Sequence, residues 1–104
     1  VDDVRLCACD ALASVSPERL APHAPALVER LSDDVPDVRL SACDTLACLL
    51  PEDLAPHAPA IGLHLNDDVP DVRWSASDAL ARLTPSLLAP YAPALVLRLN
   101  HEIP

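Results

Sequence analysis

The chain of 104 residues has no lysine, no phenylalanine and no methionine, and only one glycine, one tryptophan and one tyrosine. Each absence removes a class of structure or function. Seven arginines against sixteen acids leave a net charge of −9, so the basic face that neutralises nucleic-acid phosphates is missing. The same balance argues against docking on anionic lipid. With Gly62 the sole glycine, no Gly-rich phosphate loop can form. Without Phe and Met, the packing falls to Leu, Ala and Val, side chains that suit closely spaced helices better than a thick globular centre. Apolar runs are broken every few residues by Asp, Arg or Pro, so no segment reads as a signal peptide or a membrane span, and no direct membrane insertion is expected. Cys7, Cys9, Cys43 and Cys48 lie inside helical patterns, with Cys7 and Cys9 pointing to different sides of one helix. They do not read as a disulfide framework, and an intracellular, reducing compartment (cytoplasm or organelle interior) is expected.

What is present is repetition. Asp-Val-Arg recurs at Asp3-Val4-Arg5, Asp37-Val38-Arg39 and Asp71-Val72-Arg73, which divides the chain into 3–36, 37–70 and 71–104 without insertion or deletion. The first two units agree at 23 of 34 positions and all three at 16, far beyond chance for segments in strict register. A single array is expected, cut from a longer one.

Each unit carries two helical patterns. In the second, helix A runs over about 36–49, with Val38, Ala42, Thr45, Leu46 and Leu49 on one apolar face. Asp34 is placed to cap it, Pro36 to occupy its first turn, and Asp37 to meet the positive end of the dipole. The stretch Pro51–Leu54 reads as a turn. Helix B follows over about 55–65, with Pro56 and Pro59 tolerated in a first turn whose N–H groups have no intrahelical acceptor. Its apolar face is Leu54, Ala58, Ile61, Gly62 and Leu65, where Gly62 stands in for Val28 and Val96 as a local weak point. Such pairs bury their apolar sides only by stacking, and about three copies are the usual minimum. The fold class expected is all-α: a right-handed α-solenoid of stacked antiparallel helix pairs.

The segment Asp-Asp-Val-Pro-Asp-Val-Arg-Leu-Ser-Ala-Cys-Asp-Thr-Leu at 33–46 and the stretch Leu-Ala-Pro-His-Ala-Pro-Ala-Leu at 20–27 resemble the HEAT repeat of the armadillo-like superfamily. The resemblance implies an Asp in each inter-repeat turn and an Arg on the following helix A, linked in a ladder. Asp33, Asp34, Asp67 and Asp68 match the first, Arg5, Arg39 and Arg73 the second, and the ladder is assigned to Asp34, Arg39, Asp68 and Arg73. His101 and Glu102 break the pattern in the third unit. The tetratricopeptide reading fails for want of large aromatics and an interhelical Gly, and the ankyrin reading for want of a Thr-Pro-Leu-His turn.

Stepping residues at 100° puts Leu6, Leu40 and Trp74 farthest from the helix-A core, an outer apolar row. It is bordered by Ala13, Ala47 and Ala81 and by Asp10, Asp44 and Asp78, and exposed apolar patches mark contacts. On helix B, expected to line a concave groove, the outward positions include His23, His57 and Tyr91; Arg30, His64 and Arg98; and Leu63 and Leu97. Both surfaces are candidate protein-binding sites. No metal site is expected, since His23 and His57 sit on helices about 8–10 Å apart, far beyond zinc–ligand distances of about 2 Å. No cofactor and no catalytic residue are assigned. The expected role is a protein-interaction scaffold, or a structural subunit of a larger assembly, with protein partners and no nucleic acid. The alternative is a HEAT-like enzyme, of the phycobilin-lyase or metal-dependent hydroxylase kind. Against it, only one His-Glu pair, His101-Glu102, is present, and it lies where the repeat pattern breaks.

Overall fold

The structure is a computed structural model that describes the backbone of residues 2–101 and the side chains of residues 4–97. All regular elements among the described residues are helical. The first pair consists of α1 (Asp2–Leu12), then α2 (Pro17–Leu20) and α3 (Ala24–Arg30) joined by the 3₁₀ turn Ala21–His23. The second is α4 (Pro36–Leu46), then α5 (Pro51–Leu54) and α6 (Ala58–Leu63) joined by Ala55–His57, with a closing 3₁₀ turn at His64–Asn66. The third is α7 (Pro70–Leu80), then α8 (Pro85–Leu88) and α9 (Ala92–His101) joined by Ala89–Tyr91.

Proline placement explains this segmentation. Pro36 and Pro70 sit in the first turns of α4 and α7, where no N–H is needed. They also hold Val35 and Val69 extended, at φ −90°, ψ 119° and φ −99°, ψ 120°. Helix B begins earlier than the sequence suggests. Pro51–Leu54 is a helical turn rather than a loop, entered from the extended Leu50. Pro56 then withholds an N–H, so the chain tightens into a 3₁₀ turn in which the Ala58 N–H donates to the Ala55 carbonyl. The α-helix resumes at Ala58 with Pro59 in its first turn. Three changes of helix type in the second pair, after Leu54, after His57 and after Leu63, thus replace the single uninterrupted helix expected.

Helices A lie side by side: α4 packs against α1 and against α7. Each helix A also rests on helix B of the preceding pair, α4 on α3 and α7 on α6. The shortest dimension of the molecule, 18 Å, corresponds to two helix layers. The core runs through the stack. Val38, Ala42, Leu46, Leu54, Ile61 and Leu65 are all essentially inaccessible, as are their counterparts Leu20, Leu27, Leu31, Val72, Ala76 and Leu80. Thr45 is buried too, its hydroxyl donating to the Ser41 carbonyl at 2.7 Å and reaching the Cys9 carbonyl of α1 at 3.1 Å, so a polar core position doubles as an inter-helix tie. Position counts as much as residue type: Val4 is 68% exposed, whereas the equivalent Val38 and Val72, each with a helix pair packed on that side, are fully buried.

Gly62 is not simply a weak point. A Cβ there would lie 3.1 Å from Cε1 and 3.3 Å from Cδ1 of Tyr91. The equivalent positions one repeat earlier are Val28 and His57. Where the earlier pair has a valine and a smaller ring at these positions, the later has a glycine and a larger ring, a volume exchange between neighbouring pairs. Gly62→Val alone should therefore lower the melting temperature, and Tyr91→His alone should lower it by opening a gap. The double variant should recover at least about 1 kcal/mol relative to additivity. Additive losses in denaturant titrations would show that the two residues are not coupled.

Candidate functional site

The most heavily bonded feature of the molecule is the joint between repeats. In each inter-repeat turn the first aspartate has a buried side chain, with only 3% of that of Asp33 and 4% of that of Asp67 exposed. Its Oδ1 accepts the N–H of the residue two further on, from Val35 at 2.9 Å and from Val69 at 3.0 Å. That N–H is turned toward it because the following proline holds the valine extended. The cap of the turn is thus Asp33 and Asp67. Asp34 and Asp68, the residues expected to act, are exposed.

Arg39 joins two turns at once. Its Nε and Nη2 donate to Oδ2 and Oδ1 of Asp67 at 2.8 and 3.0 Å, a bidentate pair. Its Nη1 donates to the carbonyls of Asp33 at 2.9 Å and Asp34 at 3.3 Å in the turn before. Asp68 adds a contact to Nη2 at 3.3 Å, and Asp34 enters through its backbone alone. One repeat earlier Arg5 pairs with Asp33, Nε to Oδ2 at 2.7 Å. One repeat later Arg73 donates to the Asp67 carbonyl at 2.6 Å.

Third donors complete each carboxylate. Arg30 reaches Asp33 Oδ2 at 3.2 Å, and His64, at the equivalent position, lies 3.1 Å from Asp67 Oδ2 through Nδ1. Burial alone would raise the Asp67 pKa, but the hydrogen bonds from Arg39, the Val69 N–H and His64 outweigh it and hold the carboxyl far below the usual range. Asp33 is likewise lowered, first by the Val35 N–H, against burial and with help from Arg5. The Arg39 guanidinium is held more firmly charged by Asp67.

A second ladder, not foreseen from the sequence, runs along the outer helices. The Ser41 hydroxyl donates to Asp10 at 2.6 Å, and that of Ser75 donates to Asp44. Its trace in the sequence is a serine 31 residues after an aspartate in two successive units, but on a helical wheel Asp10, Asp44 and Asp78 look like no more than a charged border. Asp78 instead pairs loosely with Arg82, at 3.8 Å.

These ladders set the outer row. Leu6 and Leu40 are half-buried, and Trp74 is 69% exposed. Leu6 and Leu40 line one depression of about 260 Å³ between α1 and α4, together with Ala13, Asp10, Asp37, Asp44, Ser41 and Thr45. Ala47, expected beside them, is buried at 6% exposure. On the helix-B layer the expected groove residues separate. Leu63 and Leu97 are 74% and 53% exposed, and His23 is exposed. Arg30 and His64 are drawn into the joints, His57 is half-buried, and Tyr91 packs against the core. The backbone of His101 ends α9 rather than forming a turn, while the side chains of Arg98 and His101 and all of Glu102 lie outside the described residues.

Among the described residues no three or more His, Cys, Asp and Glu side chains gather in a way that could hold a metal ion. Burial pushes the Cys43 thiol up to about 12 and also raises Cys9, so both are protonated packing residues. No helix among the described residues is long and apolar enough to cross a membrane.

Arg39→Ala should cost on the order of 2–3 kcal/mol at pH 7, between exposed and buried pairs in size. The Asp67 value is depressed by folding, so its contribution is complete above the unfolded carboxyl range near about 4 and is lost as pH falls through the folded value. The acid limb of a stability–pH profile should therefore be shallower in Arg39→Ala than in the parent. Parallel acid limbs would mean that Arg39 does not hold Asp67 ionised.

Comparison with known proteins agrees with this architecture. A HEAT-like repeat model matches residues 2–49, and a HEAT repeat model matches residues 59–87. Searches of curated proteins and of solved structures return no match. The stacked helix pairs, the aspartate–arginine joints and the two family matches together place the chain in the HEAT-repeat family, as an all-α solenoid.

Proposed function

We propose that the chain is a non-catalytic protein-interaction scaffold, part of one repeat array, whose principal contact is the outer row Leu6, Leu40 and Trp74. HEAT repeats in general mediate protein–protein interaction. The observation that carries the choice of surface is Trp74, the largest apolar side chain in the protein, 69% exposed beside the half-buried leucines. A free indole of this size on a rigid helix is the usual anchor of a binding energy hot spot. On the helix-B layer Leu63, Leu97 and His23 stay exposed, whereas Arg30 and His64 serve the joints and Tyr91 the core, which weighs against that layer as the principal contact.

A second reading is a permanent structural subunit with both layers covered. It is favoured by the 74% exposure of Leu63 on the layer away from Trp74, because obligate interfaces are larger and more apolar than transient ones.

Crosslinking mass spectrometry on the native protein separates the two readings. The scaffold reading expects a partner crosslinked around α4 and α7, and the subunit reading expects further partners around α6 and α9. Trp74→Glu should abolish co-purification of the row partner while leaving helicity by circular dichroism unchanged. Retained co-purification would remove the row from the interface.

A further inference from the structure

We propose that the outer row receives an amphipathic helix of a partner protein whose apolar stripe is flanked by arginine or lysine; this rests on the reading of that row as the contact surface. Three observations converge on this occupant. First, the row has an apolar floor. Leu6, Leu40 and Ala13 line the open depression of about 260 Å³ between α1 and α4. Trp74 continues the row on α7.

Second, the border carries one sign of charge. Asp10, Asp37 and Asp44 line the depression, and Asp71 and Asp78 are exposed on α7. The arginines of these helices are committed elsewhere, Arg5 to Asp33 and Arg39 to Asp67. Arg73 donates to the Asp67 backbone. Arg82 lies beside Asp78 and leaves the sign of the border unchanged. An acidic rim around an apolar seat selects a basic partner and steers its approach. It also disfavours a second copy of this chain, which would bring the same acidic face and a net charge of −9 against it.

Third, the spacing fits a helix laid across the stack. Adjacent packed helices lie about 8–10 Å apart, and residues seven apart on an α-helix rise about 10.5 Å. A partner helix with an apolar residue every two turns can address α1, α4 and α7 in succession, and the basic residues between those anchors fall near the aspartates. An extended strand has no such repeat: its side chains on one face recur about every 6.6 Å.

The test uses the full chain and three synthetic helix-forming peptides, with Trp74 fluorescence as the reporter. One peptide has leucine every seventh residue flanked by arginine. The second replaces arginine with glutamate, and the third keeps arginine but replaces leucine with alanine. Only the first should shift the emission, with an affinity that falls as salt is raised. Asp37→Asn combined with Asp71→Asn should weaken it at least threefold, and since both residues are exposed this variant should keep its helicity. Equal binding of the glutamate peptide, or of the alanine peptide, overturns the proposal. So does an emission unmoved by every peptide. If native crosslinks still converge on Trp74 while the leucine–arginine peptide fails, the contact surface stands and the basic-helix chemistry falls.

Discussion

The fold depends on the joint at which Arg39 grips two turns. A stack of helix pairs has no long-range hydrogen-bonded sheet to fix the position of one unit on the next; apolar packing alone would allow neighbours to slide. The guanidinium removes that freedom. It is bidentate on Asp67 in the turn after its own pair and donates to the Asp33 carbonyl in the turn before it. Asp67 is in turn saturated by the Val69 N–H and His64. A buried carboxylate is costly unless every acceptor is occupied, and here the occupants come from helix A, helix B and the turn itself. The joint ties together all three parts of the repeat.

Fixing the pairs in register is what turns a repeated residue into a surface feature. Leu6 and Leu40 share one depression only because α1 and α4 are held parallel, and the Ser41–Asp10 and Ser75–Asp44 bonds hold the outer layer in the same register. The seat of the row is thus built by the joints beneath it. The loss of bulk at Gly62, which faces Tyr91, is compensated across the interface between pairs, so the register continues into the third pair.

Much of this is legible in the sequence, for physical reasons. A 34-residue period and the 3.6-residue apolar spacing give the helix pairs, and the helix-A face Val38, Ala42, Thr45, Leu46 and Leu49 is buried throughout. Helix B is harder. Two prolines three apart suggest a late start, whereas the chain enters at Pro51 and absorbs Pro56 in a 3₁₀ turn. Of two adjacent aspartates, composition cannot say which is buried; the choice follows from the valine that proline holds extended, whose N–H faces the first of the pair. The surface is least legible. Arg30 and His64 look outward on a helical wheel but bend to the joints, and Tyr91 looks outward but packs into the space a glycine leaves. Single-helix geometry carries no information about the neighbour, and the neighbour decides these side chains.

Native-state hydrogen exchange tests the central claim most directly, because it reads the joints amide by amide. If the joints hold the repeats in register, the Val35 and Val69 amides, which lie in turns but donate to buried carboxylates, should exchange as slowly as the amides of α4 and open in the same cooperative unit. Exchange at those two amides at the rate of an unprotected loop, while α4 stays protected, would contradict the account.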